Sequence, residues 1–194
     1  MAYEFLKLER DGAVAVLTLN RPASFNSWNA KMREELRDAV RGLAGDDSLR
    51  AAVITGEGRA FSAGEDVRGM QGLADIGTRG FRRVAREIHN VFDELESIEL
   101  PVIAAINGVA AGGGLELALS CDFRFAADTA KLGFPENKVG LIPGSGGCSR
   151  WRRGRSATTS SRWIRTRRAR HASSSIAASR RRSPGSAGRS GPRA

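Results

Sequence analysis

Two of the 194 residues are cysteine, Cys121 and Cys148. That is too few for a disulfide scaffold or a thiolate zinc centre. Histidine is equally scarce: His89 falls on a helical stripe and His171 near the end of the chain, so a serine–histidine triad is a poor fit. No Gly-Lys-Ser/Thr phosphate loop occurs, and the three glycines at 112–114 lack the further glycine of a dinucleotide fingerprint. Pro143-Gly144-Ser145-Gly146-Gly147 lacks the first glycine of a nucleophile elbow. The start, Met1-Ala-Tyr-Glu-Phe-Leu-Lys, has no basic segment leading an apolar run and does not read as a secretory signal. The expected compartment is the cytoplasm. Residues 101–119 are nearly all apolar, but they contain Pro101, four glycines and Glu116. A buried strand, a glycine turn and a helix account for them better than a membrane span does.

Acidic residues are absent from the last quarter of the chain. Residues 148–194 hold 14 Arg and 11 Ser with no Lys, Asp or Glu, and their large apolar residues are Trp151, Trp163, Ile164 and Ile176. The formal charge of +10 therefore resides there, while residues 1–147 carry 17 basic and 21 acidic residues, a net −4. Such a segment has too little apolar surface to offset its ordering entropy, so disorder is expected. The division falls at 147/148: a folded unit over 1–147 and an Arg/Ser-rich tail over 148–194.

The first 147 residues alternate between strand and helix patterns. Residues 4–10 and 13–20 are β-rich runs joined at Asp11-Gly12, a hairpin signal. Asn29 is placed to cap a helix whose apolar stripe is Met32, Leu36, Ala39, Val40 and Leu43, with Gly45 beyond it. Residues 51–55 form a short buried strand. Thr78 precedes a second stripe, Phe81, Val84, Ala85, Ile88, Phe92 and Leu95. Residues 101–106 read as a strand, 112–120 as a short helix and 122–127 as a strand. The order β-β-α-β-α-β-α-β is that of an α/β layer fold.

Three glycine-rich junctions carry the candidate chemistry. The first is Gly58-Arg59-Ala60-Phe61-Ser62-Ala63-Gly64-Glu65-Asp66-Val67, where small residues after a strand admit close backbone approach. The second, Asn107-Gly108-Val109-Ala110-Ala111-Gly112-Gly113-Gly114-Leu115-Glu116, leads into a helix whose free N–H groups favour a negative oxygen. The third runs from Phe134-Pro135-Glu136 to Gly146-Gly147 and brings a second glutamate. Glu116 lies between Leu115 and Leu117, where an unpaired charge is costly, and this marks it as a candidate functional carboxylate. Glycine turns by themselves are common to α/β proteins and say little.

Together these segments resemble the crotonase superfamily, best known from enoyl-CoA hydratase. The resemblance covers residues 3–147. It rests on Thr18-Leu19-Asn20-Arg21-Pro22 with Asn26, Ala60-Phe61-Ser62-Ala63-Gly64-Glu65-Asp66, and Pro101-Val102-Ile103-Ala104-Ala105-Ile106-Asn107-Gly108. It continues through Gly112-Gly113-Gly114-Leu115-Glu116-Leu117-Ala118, Cys121-Asp122, Pro135-Glu136 and Ile142-Pro143-Gly144. The resemblance implies a crotonase-like ββα-spiral α/β core that binds acyl-CoA thioesters. By position, the backbone N–H groups of Glu65 and Gly113 form an oxyanion hole, with the Glu65 side chain turned away. Glu116 and Glu136 align with the two glutamates of hydratases, Glu116 as the group that activates water and Glu136 as the proton donor to Cα. Ala63, Asp66, Val67 and Arg68 fall where family members touch the CoA moiety. No metal or redox cofactor is expected, since CoA arrives with the substrate.

The resemblance leaves alternatives open. A double-bond isomerase commonly keeps one of the two carboxylates, and other branches of the superfamily run other acyl-CoA reactions. The family continues into helices that cover the acyl-CoA pocket and build trimers or dimers of trimers, whereas this chain turns into the Arg/Ser-rich segment. That composition suits a GC-rich coding region read in a shifted frame. The competing reading is a genuine basic arm that binds polyanions without specificity, with Trp151 and Trp163 available to stack on bases. A non-catalytic binding protein is the fallback. Without the terminal helices, exposed apolar surface, weak trimer formation and low activity are expected.

Overall fold

The computed structural model describes residues 3–66, 68, 77–153 and 163–166. A hairpin opens the chain: β1 (Leu6–Asp11) and β2 (Val14–Leu19) pair antiparallel, with Asp11 opposite Val14 across the tight turn. Helix α1 (Ala30–Ala44) follows, then β3 (Ala51–Gly56), the short β4 (Ala60–Ser62) and α2 (Gly77–Ser97). Next come β5 (Val102–Ile106), the short β6 (Val109–Ala111), α3 (Gly113–Ser120), β7 (Phe123–Ala127) and β8 (Leu132–Gly133). A 3-10 turn over Pro135–Val139, α4 (Gly147–Arg153) and β9 (Trp163–Thr166) complete the described elements.

The strands form two sheets. Six lie in the order β1-β2-β3-β5-β7-β9, parallel from β2 onward, and three form a small parallel sheet β4-β6-β8. The central strands read as nearly continuous apolar runs because a parallel sheet buries both faces. Leu17, Ile54, Ala104 and Ile106 are fully buried in them. The helices bury their stripes in the same core: Met32, Leu36, Ala39, Val40 and Leu43 from α1, and Val91, Phe92 and Leu95 from α2, which packs against α1 and α3. Asn29 caps α1 as its position suggests, its side chain accepting the Met32 N–H at 2.8 Å. The second helix begins at Gly77, one residue before Thr78.

The small sheet is a departure from the sequence pattern, which places 60–62 and 109–111 within glycine-rich junctions. Strands of three residues give no usable period. Two side-chain amides, buried Asn26 and half-buried Asn107, weld this sheet's edge to the main one. Asn26 donates from Nδ2 to the carbonyls of Glu57 (3.0 Å) and Ala60 (2.8 Å) and accepts the Arg21 N–H at 2.8 Å. Asn107 donates to the carbonyls of Gly56 and Gly58, both at 2.8 Å. These bonds satisfy backbone groups that a ladder would otherwise pair. The last carbonyls of α3 find a cation: Arg124, fully buried, donates from Nη1 to Cys121 O at 2.5 Å and Ala118 O at 3.2 Å.

Two short elements are described within the segment from residue 148. The division at 147/148 falls inside α4, and Trp163–Thr166 pairs with β7, Phe125 opposite Ile164. Four extended residues supply ladder hydrogen bonds to an open sheet edge, which composition alone does not register. The tail expectation for 154–162 and 167–194 lies outside the described residues. Among the described residues, no helix is long and apolar enough to cross a membrane.

Candidate active site

The site is built where the small sheet delivers the chain to the N-terminus of α3. The loop after β4 crosses α1's entry segment: Trp28 N–H donates to Gly64 O at 2.8 Å, and Asp66 N–H to Trp28 O at 3.0 Å. Trp28 and Glu65 thus form a parallel bridge. In such a bridge the N–H of Glu65 faces away from Trp28. Gly64 has φ +82°, and a Cβ there would lie 2.7 Å from Gly113 N and 2.9 Å from Ala111 O. Only glycine lets the loop approach the helix start this closely. Gly113 opens α3, so its N–H has no partner within the helix.

Glu116 projects from the first turn of α3. It is 3% exposed between Leu115 and Leu117, both buried. Its Oε1 accepts two backbone hydrogen bonds, from Ser145 N (2.8 Å) and Gly147 N (2.9 Å). The third glycine junction therefore supplies donors to the carboxylate, a role for Ser145 that the comparison with a nucleophile elbow did not suggest. Glu136 comes from the 3-10 turn and reaches toward the same helix. A Cβ at Gly112 would lie 2.7 Å from Glu136 Oε1. Its Oε2 is buried with no hydrogen-bond partner among the described residues. Burial holds the Glu136 carboxyl above the usual carboxylate range, and the charge of Glu116 adds to the rise. One carboxylate fixed by donors beside another that favours its proton is an arrangement suited to acid–base chemistry.

Glu65 is not a spectator charge in solvent. Its carboxylate turns to α1 and pairs with Arg33, while Oε2 is buried without a hydrogen-bond partner among the described residues. Burial pushes this carboxyl up to about 7; Arg33 opposes that rise and Asp66 adds to it. Ala63 N–H donates to Phe25 O at 2.9 Å. Asp66 faces Arg21 at 3.4 Å and accepts the N–H of the exposed Arg68 at 3.2 Å. Val67 lies outside the described residues. His89 Nδ1 contacts the Ala85 carbonyl one turn back on its own helix, at 3.1 Å. The residues missed from sequence are Trp28, Arg33, Ser145 and Arg150. Trp28 packs on Gly113 and meets Phe92 edge-on at 5.8 Å; in the sequence it is one apolar residue before a helix cap. No cluster of metal-ligating side chains occurs among the described residues.

A sequence model for the enoyl-CoA hydratase/isomerase family matches residues 9–166. The chain belongs to this family. It is 44% identical over 154 residues to the crotonyl-CoA hydratase of Syntrophomonas wolfei, covering 79% of this chain and 58% of that protein. The crystal structure of an enoyl-CoA hydratase from Bacillus anthracis superposes with a TM-score of 0.73 at 36% identity, over 77% of this chain and 58% of the other. An enoyl-CoA hydratase/carnithine racemase from Magnetospirillum magneticum gives a TM-score of 0.77 at 28% identity, over 92% and 74%. The core is thus a crotonase-like α/β fold, as the sequence resemblance implied. The chain spans 58% of the length of the first of these enoyl-CoA hydratase family relatives.

Proposed function

We propose that the site hydrates a 2-enoyl-CoA thioester. The observation that carries this reading is the convergence of two unlike glutamates on the start of α3, Glu116 held by two N–H donors and Glu136 carrying a raised carboxyl. In this reading the thioester oxygen sits between the N–H groups of Glu65 and Gly113, whose fixed dipoles stabilise the enolate at no reorganisation cost. A water lies between the two carboxyls. Glu116 takes a proton from it as its oxygen bonds to Cβ; the C=C electrons pass into the thioester, and Glu136 gives its proton to Cα as the enolate collapses. One proton is gained by Glu116 and one lost by Glu136, so a transfer between them resets the site and the net change is addition of water. Ala63, Asp66, Val67 and Arg68 are the positions read as contacts for the CoA moiety. The unpaired thiols of Cys121, buried, and Cys148, exposed, suit the cytoplasm.

The test is loss of the enoyl-thioester absorbance with crotonyl-CoA. The expected outcome is turnover that falls in both Glu116→Gln and Glu136→Gln. Turnover that survives Glu136→Gln, with double-bond migration in place of hydration, would favour the isomerase alternative. A folded chain that binds the thioester and leaves it unchanged would overturn the catalytic reading.

A further inference from the structure

Arg150 has no part in the chemistry above, yet it is among the most buried charges in the protein. It lies on α4 in the Arg-rich segment, and its side chain is 4% exposed. Its Nε donates to Glu96 Oε1 at 2.6 Å and its Nη2 to Asp93 Oδ1 at 2.8 Å, both on α2. Its Nη1 donates to the carbonyl of Ser145. The main chain closes the same turn, Arg150 N–H donating to Gly146 O at 3.0 Å. The guanidinium carbon stands 5.8 Å from the centre of the Phe92 ring.

We infer that Arg150 is a positioning residue for Glu116. It clamps the Ser145 carbonyl to α2 and so aims the Ser145 and Gly147 N–H groups at Glu116 Oε1. The inference rests on the hydratase reading for its catalytic consequence, though not for its geometry. A glycine-rich turn has little stiffness of its own, and the two N–H groups that fix Glu116 are its first and third residues. A guanidinium holds three acceptors in one plane at fixed angles, which a lysine ammonium cannot do. Asp93 and Glu96 hold the fork, the fork holds the turn, and the turn holds the carboxylate.

Amide hydrogen exchange in the full 194-residue chain reads the clamp without needing turnover. Arg150→Gln is expected to lose about tenfold in protection at Ser145 and Gly147, while amides of β2, β3 and β5 keep theirs. The double variant Asp93→Asn with Glu96→Gln leaves Arg150 in place; a smaller loss is expected at the same two amides, and it decides the matter if Arg150→Gln does not fold. Arg150→Lys is expected to recover part of the protection. With crotonyl-CoA, kcat of Arg150→Gln is expected to fall about tenfold with KM within about twofold. Unchanged protection at Ser145 and Gly147 overturns the clamp. So does a loss spread evenly through the sheet, which marks a general structural role. A wild-type chain that leaves crotonyl-CoA unreacted overturns the hydratase reading, and exchange at the two amides still decides the clamp.

Discussion

Glu116 and Glu136 are the same residue type in two regions built on different plans. Glu116 stands on a regular helix packed in the core, and a separate glycine turn delivers two N–H donors to one of its oxygens. Glu136 stands on a 3-10 turn at the margin of the small sheet, half-buried, with one oxygen enclosed and without a hydrogen-bond partner among the described residues. Burial raises the Glu136 carboxyl above the usual carboxylate range, its own backbone N–H opposes that rise, and the charge of Glu116 adds to it. In the proposed division of roles, the contrast lies in the backbone around each glutamate rather than in the glutamate.

Exchanging the carboxylates for amides tests this contrast most severely. Glu116→Gln and Glu136→Gln are each expected to lower crotonyl-CoA turnover by about 10²- to 10⁴-fold, the usual worth of a general acid or base. A residual activity of Glu116→Gln whose pH profile shows no limb from the raised Glu136 carboxyl would break the contrast.

Glu65 sharpens the comparison, being a third enclosed carboxyl with a poorly satisfied oxygen. Burial pushes its carboxyl from the ordinary glutamate value of 4.5 up to about 7 in the folded chain. The protonated form therefore favours the folded state; that stability is full below about 4.5 and is lost as pH rises through about 7, up to ~3 kcal/mol. Glu136 acts in the same direction, so the informative measurement is the difference in thermal midpoint between wild type and Glu65→Gln from pH 4.5 to 8. The variant is expected to show the flatter curve. An identical slope would remove Glu65 from the titrating groups.

Two glycines separate the regions more gently. A Cβ at Gly147 would meet Glu116 Oε1 at 2.9 Å and Phe134 at 2.7 Å, and one at Gly112 would meet Glu136 Oε1 at 2.7 Å. Gly147→Ala is expected to lower kcat about tenfold through Glu116. Gly112→Ala also carries its residue at φ +52° and is expected to cost roughly 1–2 kcal/mol in thermal stability. Denaturant midpoints alongside crotonyl-CoA kinetics separate the two effects. Smallest is the control. Asn29→Ala removes the α1 cap, whose bond is to Met32 rather than to either carboxylate, and is expected to cost about 1 kcal/mol in urea unfolding without altering the contrast.

Much of this was legible in the residues. The stripe from Met32 to Leu43, the Asn29 cap, the hairpin turn and the apolar runs of β3 and β5 all follow from period and composition. Glu116 was marked by its apolar neighbours, and Glu136 by the family motif. The small sheet escaped because its strands are too short to show a period, and β9 because its pairing partner lies far back in the chain.

Residue pattern therefore determined which segments are helices and strands, which faces they bury, and which family the chain joins. Those are local or statistical properties, written every few residues. Tertiary structure alone decided that a turn at 145–147 would bind Glu116, that Arg33 would take the Glu65 carboxylate, and that Arg150 would leave its basic neighbours to pair with α2. Each of those contacts joins residues about 30 to 60 positions apart. Hydrogen-bond donors and charges act over a few ångströms, so their partners are chosen only when the folded chain brings them within reach.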